Sequence, residues 1–417
     1  MEDTSTGDIG SVIAEVYKRD SPRALATLIR LLGNFDVAED ALQDAFAVAL
    51  RTWPEQGVPA NPRAWLVSTA RFKAIDALRR AERTKTQLHE ADSVASPVFE
   101  IDESGLEDDI LRLVFVCCHP VLSLEAQVAL TLREVCGLTT EEVAKAYLTT
   151  PTTVAQRIVR AKNKLRESGV PYEVPREDEL PTRQAAVLRV VYLLFNEGYY
   201  ATSGEAVTRS SLSLEAIRLA RLLAETMPSS EVDGLLALML LQESRRAART
   251  SPDGEIVLLD DQDRSLWDKA MVAEGMAFAN RSFATAEPGF YALQAAIAAV
   301  HASSPSPDKT DWSRIVLVYD ALLRVHPSTV AELNRAVAVA MAEGPGAGLA
   351  LIDSLLAQGG LADYGLAHAA RADMCRRLQM FDEARSSYAR ALELASQEPE
   401  RRFLEKRILE VSKESVG

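Results

Sequence analysis

The sequence predicts an all-α protein, built as two small helical domains followed by a helical-repeat extension. Three observations lead there. The 417 residues are rich in Ala and Leu, with only 6% aromatics and few strand-like runs. Apolar residues recur three and four apart in one stretch after another. The C-terminal third repeats a helix-turn-helix unit every 34 residues: Ala350 of GLALIDSLLAQ lies 34 positions before Ala384 of EARSSYARALELASQEP. That period is the tetratricopeptide signature. The chain is too long for one ordinary core, so two or three domains are expected.

Charge is unevenly placed. The formal net charge of −14 argues against a generally sticky nucleic-acid binder. Local sign is more informative. Residues 61–85 hold seven cations and two acids, whereas residues 86–110 hold eight acids and no Lys or Arg. Cationic segments therefore flank an acidic tether.

Residues 9–33 read as one or two helices with Ile13, Val16, Tyr17, Leu25, Leu28, Ile29 and Leu32 on the apolar face, ended by Gly33-Asn34. From Asp36 a second helix carries a stripe of Val37, Ala41, Phe46, Val48 and Leu50. Its exposed side presents Glu39, Asp40, Gln43 and Asp44, either a solvated acidic face or a docking face for a basic groove. After the loop PEQGVPANP, Pro62 suits the start of a long helix. There Trp65, Leu66, Thr69, Phe72, Ile75 and Leu78 form the expected buried stripe, with Arg63, Arg71, Lys73, Arg79 and Arg80 on the remainder. A cationic helix with aromatics nearby suits an opened nucleic-acid strand, since cations hold phosphates and a base can stack. For Trp65, core packing is the preferred reading.

Residues 86–106 are polar, acidic and without helical period, as expected of a linker. Helices resume with DDILRLVFVCCHP and SLEAQVALTLREVCG, the latter with Ser123 as N-cap and Gly137 as stop. Cys117-Cys118-His119 has the residue types of a metal site but no matching second pair, and its apolar setting reads as core. The four cysteines form no disulfide framework, which suits a reducing cytoplasm. No signal-peptide pattern is present, and no apolar run reaches the ~18–20 residues of a membrane span, so a soluble cytoplasmic protein is expected.

Thr139–Arg166 reads as two helices joined by a tight turn. Val143, Ala144, Tyr147 and Leu148 lie on the first. Thr149-Thr150-Pro151 breaks it, because Pro151 disfavours the α conformation at Thr150. Thr152 or Thr153 can cap the second helix, which places Val154, Ile158 and Ala161 on one side and Gln156, Arg157, Arg160 and Lys164 on others. Five cations and no acid lie between Thr150 and Arg166. Such a pair is a helix-turn-helix, whose second helix enters the DNA major groove.

In these marks the chain resembles the extracytoplasmic-function sigma factors of bacterial RNA polymerase. They are AEDALQDAF, the helix PRAWLVSTAR…AIDALRR, an acidic linker, and TTEEVA before TVAQRIVRA, in that order. The resemblance implies sigma domain 2 at residues 8–85 and sigma domain 4 at 107–168, with no intervening domain 3. It implies that Glu39, Asp40, Gln43 and Asp44 dock on the β′ clamp of core polymerase, with the β flap as a further contact. It also implies that Asn61, Arg63, Arg71, Phe72, Lys73, Arg79 and Arg80 serve the −10 element, the Gly57–Arg63 loop taking part in strand opening. Thr152, Thr153, Ala155, Gln156, Arg157 and Arg160 would read the −35 element. Phe72 departs from the family, which usually has Asn there.

Pro171, Pro175 and Pro181 mark a hinge. Beyond it the chain divides into a helical extension, 182–287, and the repeats, 288–412. SPDGEIVLLDDQD lacks the spacing of a calcium loop and reads as turns and caps. The C-terminal half resembles the tetratricopeptide-like extension of one sigma subgroup, associated with small YCII-like, DGPF-motif proteins. The expected function is that of an alternative sigma factor with a C-terminal regulatory domain. No P-loop, zinc constellation or nucleophile triad is found, so no enzyme, cofactor or metal is expected. The rivals are a plain helix-turn-helix repressor or activator with a tetratricopeptide sensor, which would need no Asp36–Arg83 module, and an enzyme hidden in 182–287.

Overall fold

The computed structural model describes residues 6–85, 106–147, 149–199, 206–251, 255–284, 287–395 and 398–414. The segment expected as a linker lies almost wholly outside these. Among the described residues the fold is helical, and the one β-bridge joins Thr250 to Ile256. The chain divides into two compact units, Met1–Leu194 and Phe195–Gly417.

The first unit opens with α1 (Thr6–Leu32), one helix that runs through Pro22. Gly33 ends it with a φ of +67°, the left-handed conformation glycine supplies at helix ends. Asn34 then caps α2 (Phe35–Gln56), its side chain accepting from the Val37 amide. The buried side of α2 is Ala38, Ala41, Leu42, Ala45, Phe46, Ala49 and Trp53. This corrects the expected stripe: Val37 and Val48 are only half-buried and Leu50 is 56% exposed. The interior face is mostly alanine, which lets α1 and α3 (Pro62–Lys85) pack closely and escapes a search for bulky side chains. In α3 the buried positions are Leu66, Val67, Ala70 and Ala74, and the indole of Trp65 meets that of Trp53 edge-on at 5.3 Å. Phe72, expected in the stripe, is 43% exposed. Two residues from Ala70 and from Ala74, it falls on the opposite side of the helix.

Four helices follow: α4 (Leu106–Cys117), α5 (Leu124–Leu130), α6 (Thr140–Ala146) and α7 (Pro151–Glu167), with a π-helical turn Thr131–Val135 after α5. Cys117 and Cys118 are buried, and desolvation raises both thiols, Cys118 to about 12. Ser123 caps α5 by accepting from the Ala126 amide. Of these, α4 and the π-helical turn lie against α1. Asp109 of α4, fully buried, accepts from Thr27 Oγ1 at 3.1 Å, Arg30 Nε at 2.7 Å and Arg112 at 3.0 Å. Arg133 donates to the Tyr17 hydroxyl at 3.2 Å.

The proline segment is fastened to this unit. The Tyr172 hydroxyl lies 3.1 Å from the Ala26 carbonyl and 2.9 Å from the Asp109 carbonyl, and Arg183 donates to the Phe115 carbonyl at 2.7 Å. The division between units falls further on, inside α8 (Leu180–Tyr199).

The second unit comprises α9 (Ala206–Thr226), α10 (Ser230–Glu243), α11 (Lys269–Ser282), α12 (Phe290–Ser303), α13 (Trp312–Val325), α14 (Thr329–Glu343), α15 (Pro345–Ala357), α16 (Gly365–Arg377), α17 (Phe381–Leu394) and α18 (Glu398–Glu414). Asp263, at the end of SPDGEIVLLDDQD, caps a short turn, and Asp268 caps α11. From α12 onward each helix packs on the next. The core shared by α14 to α18 includes Leu333, Ile352, Ala384 and Tyr388, and Val300, Ile315 and Ala338 form a separate cluster. In contrast to these amphipathic helices, α10 is apolar on nearly every side and sits among α9, α11 and α12, as an all-round apolar helix must. Asp233 pairs with Arg281 through two bonds, and Glu231 accepts from the Tyr291 and Ala292 amides at 3.1 Å each, satisfying the start of α12.

Where α10 crosses α12, a Cβ on Gly234 would lie 2.4 Å from the Ala292 backbone nitrogen. Backbone cannot yield as a flexible side chain can. Gly234→Ala is therefore expected to cost about 1–3 kcal/mol, the usual penalty of overpacking. A lowered thermal midpoint checks this; an unchanged one would mean that the two helices do not cross so closely.

Candidate nucleic-acid interface

The helix-turn-helix is assembled from local chemistry. At its start Thr139 and Glu142 form a reciprocal cap: the Thr139 amide donates to Glu142 Oε2 at 2.8 Å and the Glu142 amide to Thr139 Oγ1 at 3.2 Å. Val143 and Ala144 are buried; Tyr147 is half-buried, and Leu148 lies outside the described residues. The cap of α7 is Thr150, in extended conformation, with its hydroxyl accepting from the Thr153 amide. The sequence had placed the cap at Thr152 or Thr153. Pro151 explains the difference, since it takes the first helical position and forces Thr150 into the extended geometry a cap requires.

Val154, Ile158, Ala161 and Leu165 are buried, which fixes the roll of α7. Thr152, Thr153, Ala155, Gln156 and Arg160 are thereby brought together on the exposed side. Arg157 is half-buried, within electrostatic reach of Glu125. Val159 shares the exposed face at 56% exposure and was missed in the sequence. Its signal was there: it is out of step with the buried positions 154, 158, 161 and 165. An exposed valine on such a face can meet a thymine methyl group, and Gln and Arg can donate to base edges.

The second group of predicted residues lies on α3 and the loop before it. Asn61 accepts from the Ala64 amide at 3.0 Å, so its side-chain oxygen caps α3. Arg63 is half-buried. Arg71 and Phe72 are exposed side by side, with Lys73 half-buried next to them. An exposed aromatic ring on a helix that also carries cations suits a stacked base and its phosphates. The side chains of Arg79 and Arg80 lie outside the described residues.

On α2, Asp40, Gln43 and Asp44 are exposed along one face, and Glu39 is half-buried at its edge. Glu39 differs because it is engaged. Lys162 of α7, with only 11% of its side chain exposed, pairs with Glu39 and, at 3.0 Å, with Glu134. Its ammonium also sits 4.8 Å from the centre of the Phe35 ring. Burial raises the Glu134 carboxyl above its ordinary value. Burial alone would lower the Lys162 ammonium, but the two carboxylates outweigh it and hold it raised. One turn on, Arg166 donates to Asp36 at 2.8 Å.

No described group of His, Cys, Asp and Glu could hold a metal ion, and no described helix is long and apolar enough to cross a membrane.

Comparison with known proteins places family matches on both helical groups. Residues 16–84 match Sigma-70 region 2 and residues 112–165 match Sigma-70 region 4. Residues 183–283 match a family of unknown function, DUF6596. Over 97% of its length the chain is 41% identical to an uncharacterized protein of Rhizobium meliloti, R00370, covering 95% of that protein. It is 27% identical over 161 residues to the probable ECF RNA polymerase sigma factor SigI of two Mycobacterium tuberculosis strains, covering 37% of this chain and 54% of theirs. No solved structure matches.

Proposed function

Because the chain belongs to the extracytoplasmic-function sigma factors, in a form that carries a C-terminal helical extension, we propose that it docks on core RNA polymerase through α2, reads a −35 element with α7 and holds an opened −10 strand with α3. Sigma factors serve transcription initiation and are not an enzyme family; core polymerase and promoter DNA are the partners their domains imply. The observation that carries the reading is the rotation of α7. Its four buried residues point Thr152, Thr153, Ala155, Gln156 and Arg160 to solvent as one surface. The test is run-off transcription on genomic fragments with purified core polymerase.

The three interfaces separate by what each loss would do. A lost base contact costs about 1–3 kcal/mol and relaxes preference at one base pair, whereas a lost phosphate contact weakens all sequences alike. Arg160→Ala, and more weakly the half-buried Arg157→Ala, are expected to reduce −35-dependent transcription with polymerase binding intact. Transcription at the wild-type level from both variants would refute this docking of α7.

Docking on polymerase is assigned to Glu39, Asp40, Gln43 and Asp44. Asp40→Lys is expected to weaken association with core most at low salt, because the contact is between exposed charges. The variant's helical content should not change, since Asp40 lies outside the core. Undiminished affinity at low salt would remove this face from the interface. In the −10 module, Asn61, Arg63, Arg71, Phe72, Lys73, Arg79 and Arg80 hold the strand, with the exposed Phe72 as stacking platform.

The second unit is read as a regulatory domain acting through protein contacts, since stacked helix pairs offer surfaces suited to protein partners. A chain ending at Tyr199 retains Tyr172 and Arg183, which bond within the first unit. Its run-off output with purified core is expected to differ from that of the full chain. A folded truncate, checked by circular dichroism, with unchanged output in cells and with purified core would eliminate the regulatory role.

A further inference from the structure

The second unit holds two arginines that bond only to neutral groups among the described residues. Arg245, just past α10, gives Nη2 to the Tyr199 hydroxyl at 2.8 Å and to Gln242 Oε1 at 2.6 Å. Arg264, in the short turn Arg264–Leu266, gives Nη1 to the carbonyls of His301 and Ser304. It thus covers the end of α12, where a cation is favoured. The other edge of its guanidinium is Nε and Nη2, and both donors are shut from solvent with no acceptor. That edge is a fork that takes two oxygens of a carboxylate or phosphate side by side. The two acids that act on Arg264, Asp260 and Asp308, accept no bond from it.

Further donors in the same condition belong to this cluster. The Cζ atoms of Arg264 and Arg245 lie 5.0 and 5.8 Å from the centre of the Trp267 ring. Trp267 is 6% exposed, and its Nε1 has no acceptor; neither has Nε of Arg245. Nδ1 of His301 is also buried without a partner. Burial, then Arg245 and Arg264, lower this imidazole to about 4, so the ring is neutral and can offer an N–H. Buried donors are almost always paired in folded proteins. Here four neighbouring side chains present N–H groups together, and two of the four are cations. We propose that Arg264, Arg245, Trp267 and His301 form a binding site for a small oxyanion, gripped by the Nε–Nη2 fork of Arg264. The ligand is a free ion, since the donor atoms are covered by the protein itself and no side chain of a partner reaches them. Arg264, half-buried, is the side chain that turns to admit it. A bound ion would tie the end of α12 and the Arg264–Leu266 turn to the end of α10. This inference goes beyond the protein contacts proposed for the second unit and does not depend on them.

The test titrates the full chain with inorganic phosphate and, separately, with acetate, at an ionic strength held constant with chloride. Calorimetry reads binding, and the thermal midpoint reads its effect on the fold. Saturable binding of phosphate is expected at a Kd of about 1 mM or tighter, with a raised midpoint. Acetate should bind more weakly, because it has fewer oxygens for the donors beyond the fork. Failure of both probes to bind saturably would overturn the site. Two variants locate it. Arg264→Lys keeps a positive charge at the end of α12 but has no fork, and should weaken phosphate at least about tenfold. Trp267→Phe keeps an aromatic ring and removes the N–H, and should weaken it roughly three- to tenfold. Arg371→Lys, at an arginine already paired with Asp353 elsewhere in this unit, should bind phosphate as the wild type does. Undiminished binding in both Arg264→Lys and Trp267→Phe would place the ion elsewhere and overturn the assignment. If Arg264→Lys loses helical content by circular dichroism, Trp267→Phe alone decides.

Discussion

The buried ammonium of Lys162 is the constraint from which most of the first unit can be understood. A lysine this deep is tolerable only if its charge is matched, and two carboxylates match it. That requirement pins α7 in rotation as firmly as its apolar contacts do. Lys162 follows the buried Ala161, and Leu165 lies one turn beyond; both directions must be satisfied together. With those positions facing inward, residues 152, 153, 155, 156 and 160 have nowhere to go but outward. The exposed polar surface of α7 is thus a consequence of how the rest of the helix is buried.

Much of this was legible in the sequence because it is local. Ser123 and Gly137 were placed correctly from cap chemistry alone, and the break at Thr150-Pro151 was recognised from proline sterics. The failures have physical causes too. The buried face of α2 was misread because alanines make it, and an alanine gives a hydrophobic pattern little amplitude. Phe72 was put in the core because it is aromatic, although its phase relative to Ala70 and Ala74 sets it on the far side of α3. The pairing of Lys162 with Glu39 spans 123 positions, and no spacing rule reaches that far. In the recognition helix the same lysine read simply as one of five cations.

The second unit shows a different limit. Periodicity identifies an amphipathic helix, but α10 is apolar throughout and offers no face to read. What organises it is contact: Gly234 lets the backbone of α12 come within van der Waals range, and Gly348 does the same where α15 meets Ala336 and Ala340 of α14. Glycine in a helix interior reads from sequence as a weakness, since it costs stability relative to alanine. Here its missing side chain is what permits the packing. From about residue 288 onward the sequence suggests a 34-residue repeat, and there successive helices pack one on the next.

The arrangement around Lys162 also shows how one buried cation is shared between two carboxylates. Removing one partner of a buried pair ordinarily strands the other charge in the interior, at about 3–5 kcal/mol. Glu134 belongs to the same helical group as Lys162 and is itself 4% exposed. Glu39 of α2 is 25% exposed. The Arg166–Asp36 pair lies near the surface, where an ion pair contributes little and salt weakens it. The buried Lys162–Glu134 couple is therefore the part of this cluster that burial makes costly to break, and its contacts with α2 are the part that water can replace.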